Sequence, residues 1–325
     1  MKSAELRQVC AAFAVSVLLF LVLLELTLQV YTRLYVYYDV EMSRYATEIK
    51  VRSDDPAIGH EHIPGSSAHL MGVDVDINSA GLRDREYPVA RNERRRIVFL
   101  GDSLTFGWGV EQDATFEALL EQRLNTVQPT EVINFGHGNY NTAQQVSLFK
   151  KKGLRYQPDK VVVFFFVNDA EVTPVRSAWT PVARLRSVTF LWSRVRGLLS
   201  QADSNAGFEA YYRDLYRDDQ PGYHALQQAF VELRDLCQRR GIALQVVMLP
   251  ELHNLIDFPF AAEYRQVQQF LQSHGIPVLD LSTDFAGYVH PGELWVAADD
   301  AHPNALAHSL IADYAFDFIA RERTD

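Results

Sequence analysis

The chain has 325 residues, 48% of them hydrophobic and 22% charged, with a formal net charge of −10. That apolar mass excludes a disordered chain, and a single apolar stretch of spanning length excludes a polytopic membrane protein. The acidic balance argues against a nucleic-acid partner, because such binding exchanges protein cations for counterions. Cys10 and Cys237 are the only cysteines, so a disulfide framework is excluded as well.

Residues 1–8 form a short tail and residues 9–30 an apolar segment. Between Val9 and Leu24 only Ser16 and Cys10 soften the run. As a helix rising about 1.5 Å per residue, it is long enough to cross a hydrocarbon core about 30 Å thick. No small-x-small cleavage site follows Leu24, which favours an uncleaved transmembrane signal anchor over a signal peptide or a buried helix. Lys2 and Arg7 precede the run while Arg33, Arg44, Lys50 and Arg52 follow it, so the positive-inside count does not decide orientation. The short head favours a large domain outside the cytoplasm. Tyr31, Tyr35, Tyr37 and Tyr38 suit an interfacial aromatic belt. Glu25 can reach the headgroups or pair with another helix, and the first reading is preferred.

Residues 31–93 read as a polar lead-in packed on the main domain, with a short hairpin expected around 73–77. Arg94, Arg95 and Arg96 read as a solvated entry to a strand, offset by Glu86 and Glu93. From residue 94 strands and helices alternate. Apolar runs at 96–100, 131–135, 160–167, 242–249 and 278–281 predict strands. Helical spacing predicts helices over 111–124, 142–152, 223–240, 264–273 and 304–320. The run 160–167, KVVVFFFV, is apolar almost throughout, as a central parallel strand covered on both faces requires. The alternation predicts one α/β domain over 94–325, a parallel sheet between two helical layers. Residues 170–222 break the rhythm as an insertion carrying Trp179, Trp192, Tyr211, Tyr212 and Tyr216, suited to a lid, a binding surface or a small subdomain.

In such folds ligands sit at the carboxyl ends of the strands, and four loops there carry polar chemistry. The first strand ends in Gly101-Asp102-Ser103-Leu104. A serine on a strand-to-helix turn exposes its hydroxyl beside the free N–H groups of the helix terminus. Alone this is also ordinary turn chemistry. Near the C-terminus the chain reads Asp299-Asp300-Ala301-His302-Pro303-Asn304. A serine nucleophile needs a general base, and the base needs a carboxylate to hold its tautomer. His302 and Asp299 can supply both, with Asp300 or Asn304 left to cap the last helix. Asn168 closes the central strand, where a side-chain amide can face a developing oxyanion. The turn from Asn134 to Thr142 holds Gly136, Gly138 and Asn139, through which a backbone N–H can be a further donor. His60, His62 and His253 read as isolated polar loop residues, so no metal site is expected.

Taken together, these blocks resemble the SGNH/GDSL hydrolase family, in particular its bacterial members with an N-terminal membrane anchor. Ser103 matches the nucleophile of the first block, Asn168 the oxyanion asparagine of the third, and Asp299 with His302 the DxxH of the fifth. The segment Ile77-Asn78-Ser79-Ala80-Gly81-Leu82-Arg83 and the stretch from His302 to His308 extend the likeness over roughly residues 55–320. The resemblance implies a flavodoxin-like three-layer α/β/α sandwich, a Ser-His-Asp triad with an oxyanion hole from Ser103, Asn139 and Asn168, and no cofactor. Two positions depart from the pattern. The second-block glycine falls on Asn139, with Gly138 beside it giving slack, and asparagine tolerates positive φ better than most residues. The third block leads with Phe166 instead of glycine.

The expectation is a serine esterase acting on O-acyl esters, such as an O-acetylated glycan or related cell-envelope substrate. One alternative is O-acyl transfer to a surface or exported polysaccharide beside a membrane acyltransferase. The other is a non-catalytic scaffold of an envelope assembly.

Overall fold

The computed structural model describes residues 3–172, 185–199 and 205–321. Helix α1 spans Ser3–Leu34, so the apolar segment and its flanks form one rod. Within Glu5–Thr32, its most apolar 18-residue window has a mean hydropathy of 2.7 and is unburied. It is followed by α2 (Tyr38–Arg44). The lead-in then builds two small antiparallel pairs: β1 (Lys50–Arg52) with β2 (His60–His62), and β3 (Ser67–Leu70) with β4 (Val73–Asp76). The second pair is a hairpin whose outer half covers the expected 73–77. Val73 and Val75 are buried and Asp74 and Asp76 exposed, the two-residue alternation of a half-covered strand.

The main sheet contains β5 (Arg95–Leu100), β6 (Thr130–Asn134), β7 (Lys160–Phe165), β8 (Ala243–Met248) and β9 (Val278–Asp280). All neighbours are parallel, in the order β6-β5-β7-β8-β9. This is the flavodoxin-type order, whose switch point lies between β5 and β7. Both faces are apolar. Val98, Leu100, Val161, Val163, Phe165, Val246 and Met248 face α5 (Thr142–Lys151), α8 (Pro221–Arg240) and α9 (Ala261–Ser273). Ile97, Phe99, Val162, Phe164 and Val247 face α4 (Phe116–Val127) and α10 (Ala305–Ala320). The expected strands and helices are present, with ends moved by a few residues.

Arg96 overturns the expectation of a solvated basic run. Its side chain is fully buried and pairs with Glu131 at 2.7 Å. It also donates to the carbonyls of Pro88, Val89, Ala90 and Tyr156. Both faces of β5 are covered, so every residue from Arg96 to Leu100 is buried whichever way it points, and the guanidinium is tolerated there because its N–H groups meet acceptors. Of the insertion, α6 (Arg186–Leu199) and α7 (Asn205–Leu215) are described; Trp179 lies outside the described residues.

Candidate active site

The turn after β5 opens the short helix α3 (Ser103–Phe106). Asp102 caps it, accepting the Leu104 N–H at 2.9 Å. The cap fixes the turn on which Ser103 sits, at the carboxyl edge of the sheet beside the switch point. At the far end of the chain, β10 (Trp295–Ala297) and β11 (Asp300–Pro303) form a hairpin pairing Ala297 with Asp300. This hairpin swings His302 over the same edge. Its Nε2 lies 2.8 Å from Ser103 Oγ.

The carboxylate behind His302 is Asp300, not Asp299. Asp300 Oδ1 lies 2.5 Å from His302 Nδ1 and also accepts the His302 backbone N–H at 3.1 Å. Asp299 falls in the two-residue turn between Ala297 and Asp300 and is exposed. The hairpin therefore turns Asp300 inward, where its Oδ2 takes the indole N–H of Trp108 at 2.9 Å. Asn304 is the cap of α10, accepting Leu306 and Ala307 N–H groups, so Asp300 is not needed there. Burial pulls the Asp300 pKa up, but the hydrogen bonds from His302 and Trp108 hold it below the ordinary aspartate value. It is an ionised acceptor behind the imidazole.

Asn168 follows β7 and donates its amide to Asp102 Oδ2 at 2.9 Å. An amide has two N–H donors, so this bond orients the group and leaves its second donor. Asn139 has φ 67°, the left-handed turn that its expected role requires. The turn is clamped from the lead-in. Lys50 Nζ donates to Gly138 O at 2.7 Å and to Asn139 Oδ1 at 2.8 Å, and the Gly138 N–H donates to the Tyr45 hydroxyl at 3.0 Å. Gly138 gives no slack: a Cβ there would lie 2.6 Å from Tyr45 Cε1. Burial drives the Lys50 pKa well below its usual value. Spacing along the chain carried no sign of this clamp, since Lys50 and Asn139 meet only in three dimensions.

Ser103, Asn139, Asn168 and His302 line one cavity of about 440 Å³ with Tyr38, Phe166, Phe208, Tyr212 and His253. Two of these correct the sequence reading. Tyr38, expected in a membrane belt, lies with its ring 6.1 Å from that of His302. His253 is not isolated: its Nδ1 bonds the buried Glu251, and its ring lies 4.9 Å from Trp295. The bond to Glu251 raises its pKa against the opposing effect of burial. His62 is also partnered. It is buried, bonds the Tyr45 hydroxyl at 2.7 Å and stacks on His137 at 3.9 Å. His60 Nε2 lies 3.1 Å from Gly138 O. Among the described residues no group of three or more His, Cys, Asp or Glu side chains is placed to hold a metal.

A serine hydroxyl, an imidazole and a buried carboxylate in series can activate the hydroxyl for attack on an acyl carbon. The family comparison agrees with that chemistry. The chain belongs to the GDSL-like lipase/acylhydrolase family, whose pattern matches residues 99–310, more than half of the chain. It is thus a member of a family of esterases and acylhydrolases, as the blocks around Ser103 and His302 had suggested. Among solved structures, it is similar to a lipolytic protein of the G-D-S-L family from Desulfitobacterium hafniense DCB-2, at 17% identity over 69% of this chain and 99% of that one, TM-score 0.45. An acetyl xylan esterase is 16% identical over 69% of this chain and 99% of its own, TM-score 0.42. A two-domain esterase active on acetylated mannans is 16% identical over 70% of this chain and 49% of its own, TM-score 0.45. Comparison with curated proteins gives no match.

Proposed function

We propose that the chain is a membrane-anchored serine esterase that removes short O-acyl groups, acetyl foremost, from a glycan or related cell-envelope ester outside the cytoplasm. The observation that carries this reading is the unbroken series Ser103 Oγ, His302 and Asp300, at 2.8 and 2.5 Å. In the mechanism it supports, His302 takes the Ser103 proton as the oxygen attacks the ester carbonyl, and Asp300 balances the imidazolium. The Ser103 N–H, the Asn139 N–H and the second amide N–H of Asn168 receive the oxyanion. His302 then returns the proton to the leaving alkoxide, and water releases the acyl group by the same steps in reverse.

Phe166, at the position where the family pattern leads with glycine, supports a short acyl group, since its ring takes up space in the cavity. The aromatic rings of Tyr38, Phe208 and Tyr212 support a sugar-bearing leaving group. Helix α1 supports the anchor by its length and hydropathy.

One observation favours a second reading, O-acyl transfer. The His253–Glu251 pair in the same cavity offers a hydrogen-bond partner to an acceptor hydroxyl in place of water. A membrane acyltransferase would be the natural source of the acyl group in that case.

The test is hydrolysis of p-nitrophenyl acetate by the full-length chain in detergent, beside Ser103→Ala. Burst release and a covalent acetyl adduct on Ser103 are expected. A wild type that forms no adduct and releases nitrophenol no faster than the variant would overturn the enzyme reading in favour of a scaffold. With candidate oligosaccharides added, free acetate marks the esterase and acetylated sugar the transferase.

A further inference from the structure

Helix α6 begins on the side of α1. Glu25 Oε1 accepts the Arg186 N–H at 3.1 Å, and its Oε2 accepts the Ser187 N–H at 2.9 Å and the Ser187 hydroxyl at 2.6 Å. The first N–H groups of a helix have no partner within it, and Glu25 supplies one. In return, a carboxylate inside an apolar segment gains the donors it needs to be tolerated there. Arg186 Nη1 strengthens the joint, donating to Gln29 O and Thr32 Oγ1, each at 2.9 Å. Further along, the Phe190 ring stands edge-on to Tyr37 at 5.5 Å, and the Arg194 guanidinium lies over the Tyr37 ring at 5.5 Å. One face of α6 is thereby committed to α1 and the tyrosines after it.

The remaining face is an apolar stripe that nothing in the described structure covers. Val188 is 39% exposed, Leu191 49%, Trp192 65% and Val195 45%. Steps of three and four place these on one side of the helix. The helix sequence holds three arginines and no acidic residue, within a chain of net charge −10. A Trp-bearing apolar stripe on a helix whose sequence has arginine and no acidic residue is the composition of a helix lying in a membrane interface. The position agrees as well: Glu25 precedes Thr32 by seven residues, about 10 Å along a helix axis, so α6 starts within the outer end of the anchor.

We propose that α6 is an interfacial helix, its apolar stripe buried at the headgroup boundary of a bilayer containing anionic lipid. Its consequence is orientation. A single helix would leave the catalytic domain free to swivel, whereas α1 and α6 together hold it at two lines. Tyr38 and Met42, on the helix that follows the anchor directly, line the Ser103 cavity. The cavity is then held at the membrane surface and takes esters carried on or beside the bilayer. The inference rests on the reading of α1 as a membrane anchor.

The test uses the full-length chain with Cys10→Ser, reconstituted in vesicles of phosphatidylcholine and phosphatidylglycerol. Cys237 is buried, so a fluorophore reports single cysteines placed by Leu191→Cys or Val188→Cys on α6, Leu19→Cys on α1, and Val127→Cys at the far edge of the domain. Spin-labelled lipid carrying its nitroxide near the headgroup should at least halve the emission at 191 and 188. Deep-labelled lipid should do so at 19, and neither should affect 127. Quenching at 19 without quenching at both α6 sites overturns the inference and leaves the anchor standing. No quenching at 19 overturns the anchor and the inference with it.

Discussion

Trp108 and Asp300, separated by most of the domain in sequence, are joined by an indole N–H to carboxylate bond of 2.9 Å. Asp300 thus has one oxygen committed to the core and the other to His302. Trp108 is 2% exposed and lies in the cluster that the lead-in hairpin builds around Tyr45 and Phe106. The lead-in therefore takes part in fixing the imidazole.

This assigns different weights to two adjacent acids. Asp300→Asn should lower kcat toward p-nitrophenyl acetate by on the order of 10²- to 10⁴-fold, as loss of the orienting carboxylate does in comparable triads. Asp299→Asn, at an exposed turn position, should stay within about threefold of wild type. Equal losses in both, measured by steady-state kinetics, would remove the assignment to Asp300.

Lys50 is a positioning residue for the Gly138–Asn139 turn. Lys50→Met removes two hydrogen bonds to that turn while lifting the burden of a buried amine. We expect kcat to fall about tenfold with KM nearly unchanged, since the loss would be felt by the oxyanion, and the melting temperature to hold or rise. Asn139→Gly, which keeps the left-handed turn, should retain more activity than Asn139→Val, where a β-branched residue is strained. A fall in activity tracking lost stability would reduce Lys50 to a purely structural role.

Phe166 lines the cavity beside Ser103 and Asn168, where its ring would limit the size of a bound acyl group. Phe166→Ala should raise the butyrate-to-acetate ratio of kcat/KM by about tenfold, the scale on which a hydrophobic pocket discriminates one or two methylenes. An unchanged ratio across p-nitrophenyl esters would place the acyl group elsewhere.

Glu117, in the first turn of α4, is buried and accepts the Asn134 amide at 2.5 Å, and burial raises its pKa to about 8. A carboxyl whose folded pKa lies above its unfolded value keeps its full contribution to stability below the unfolded pKa. It loses that contribution as pH rises toward the folded one. Glu117→Gln keeps the acceptor and removes the titration. Its melting temperature should gain on wild type from about pH 4.5 to about pH 8 and level off beyond. A pH-independent difference in calorimetry would show that burial there does not shift the group.

The sheet was legible because parallel strands covered on both faces are short, nearly continuous apolar runs, and Lys160–Phe165 is one. Ser103, His302 and Asn168 were legible because each sits at a strand end or helix start, where local sequence dictates backbone conformation. The lead-in was harder to read. Its strands are three or four residues long and owe their pairing to the domain beneath them.

By itself, then, the sequence determined the α/β alternation, the strand-to-helix turn that carries Ser103, the loop that carries His302 and one apolar helix of spanning length. These depend on periodicity and on chemistry within a few residues. Tertiary structure alone decided that Asp300 and not Asp299 backs His302, that Tyr38 faces the cavity, that Arg96 is buried, and that Glu25 caps α6. Each outcome turns on which way a side chain points once distant segments pack. Adjacent residues of one hairpin face opposite environments, and spacing along the chain cannot tell which of them the fold will bury.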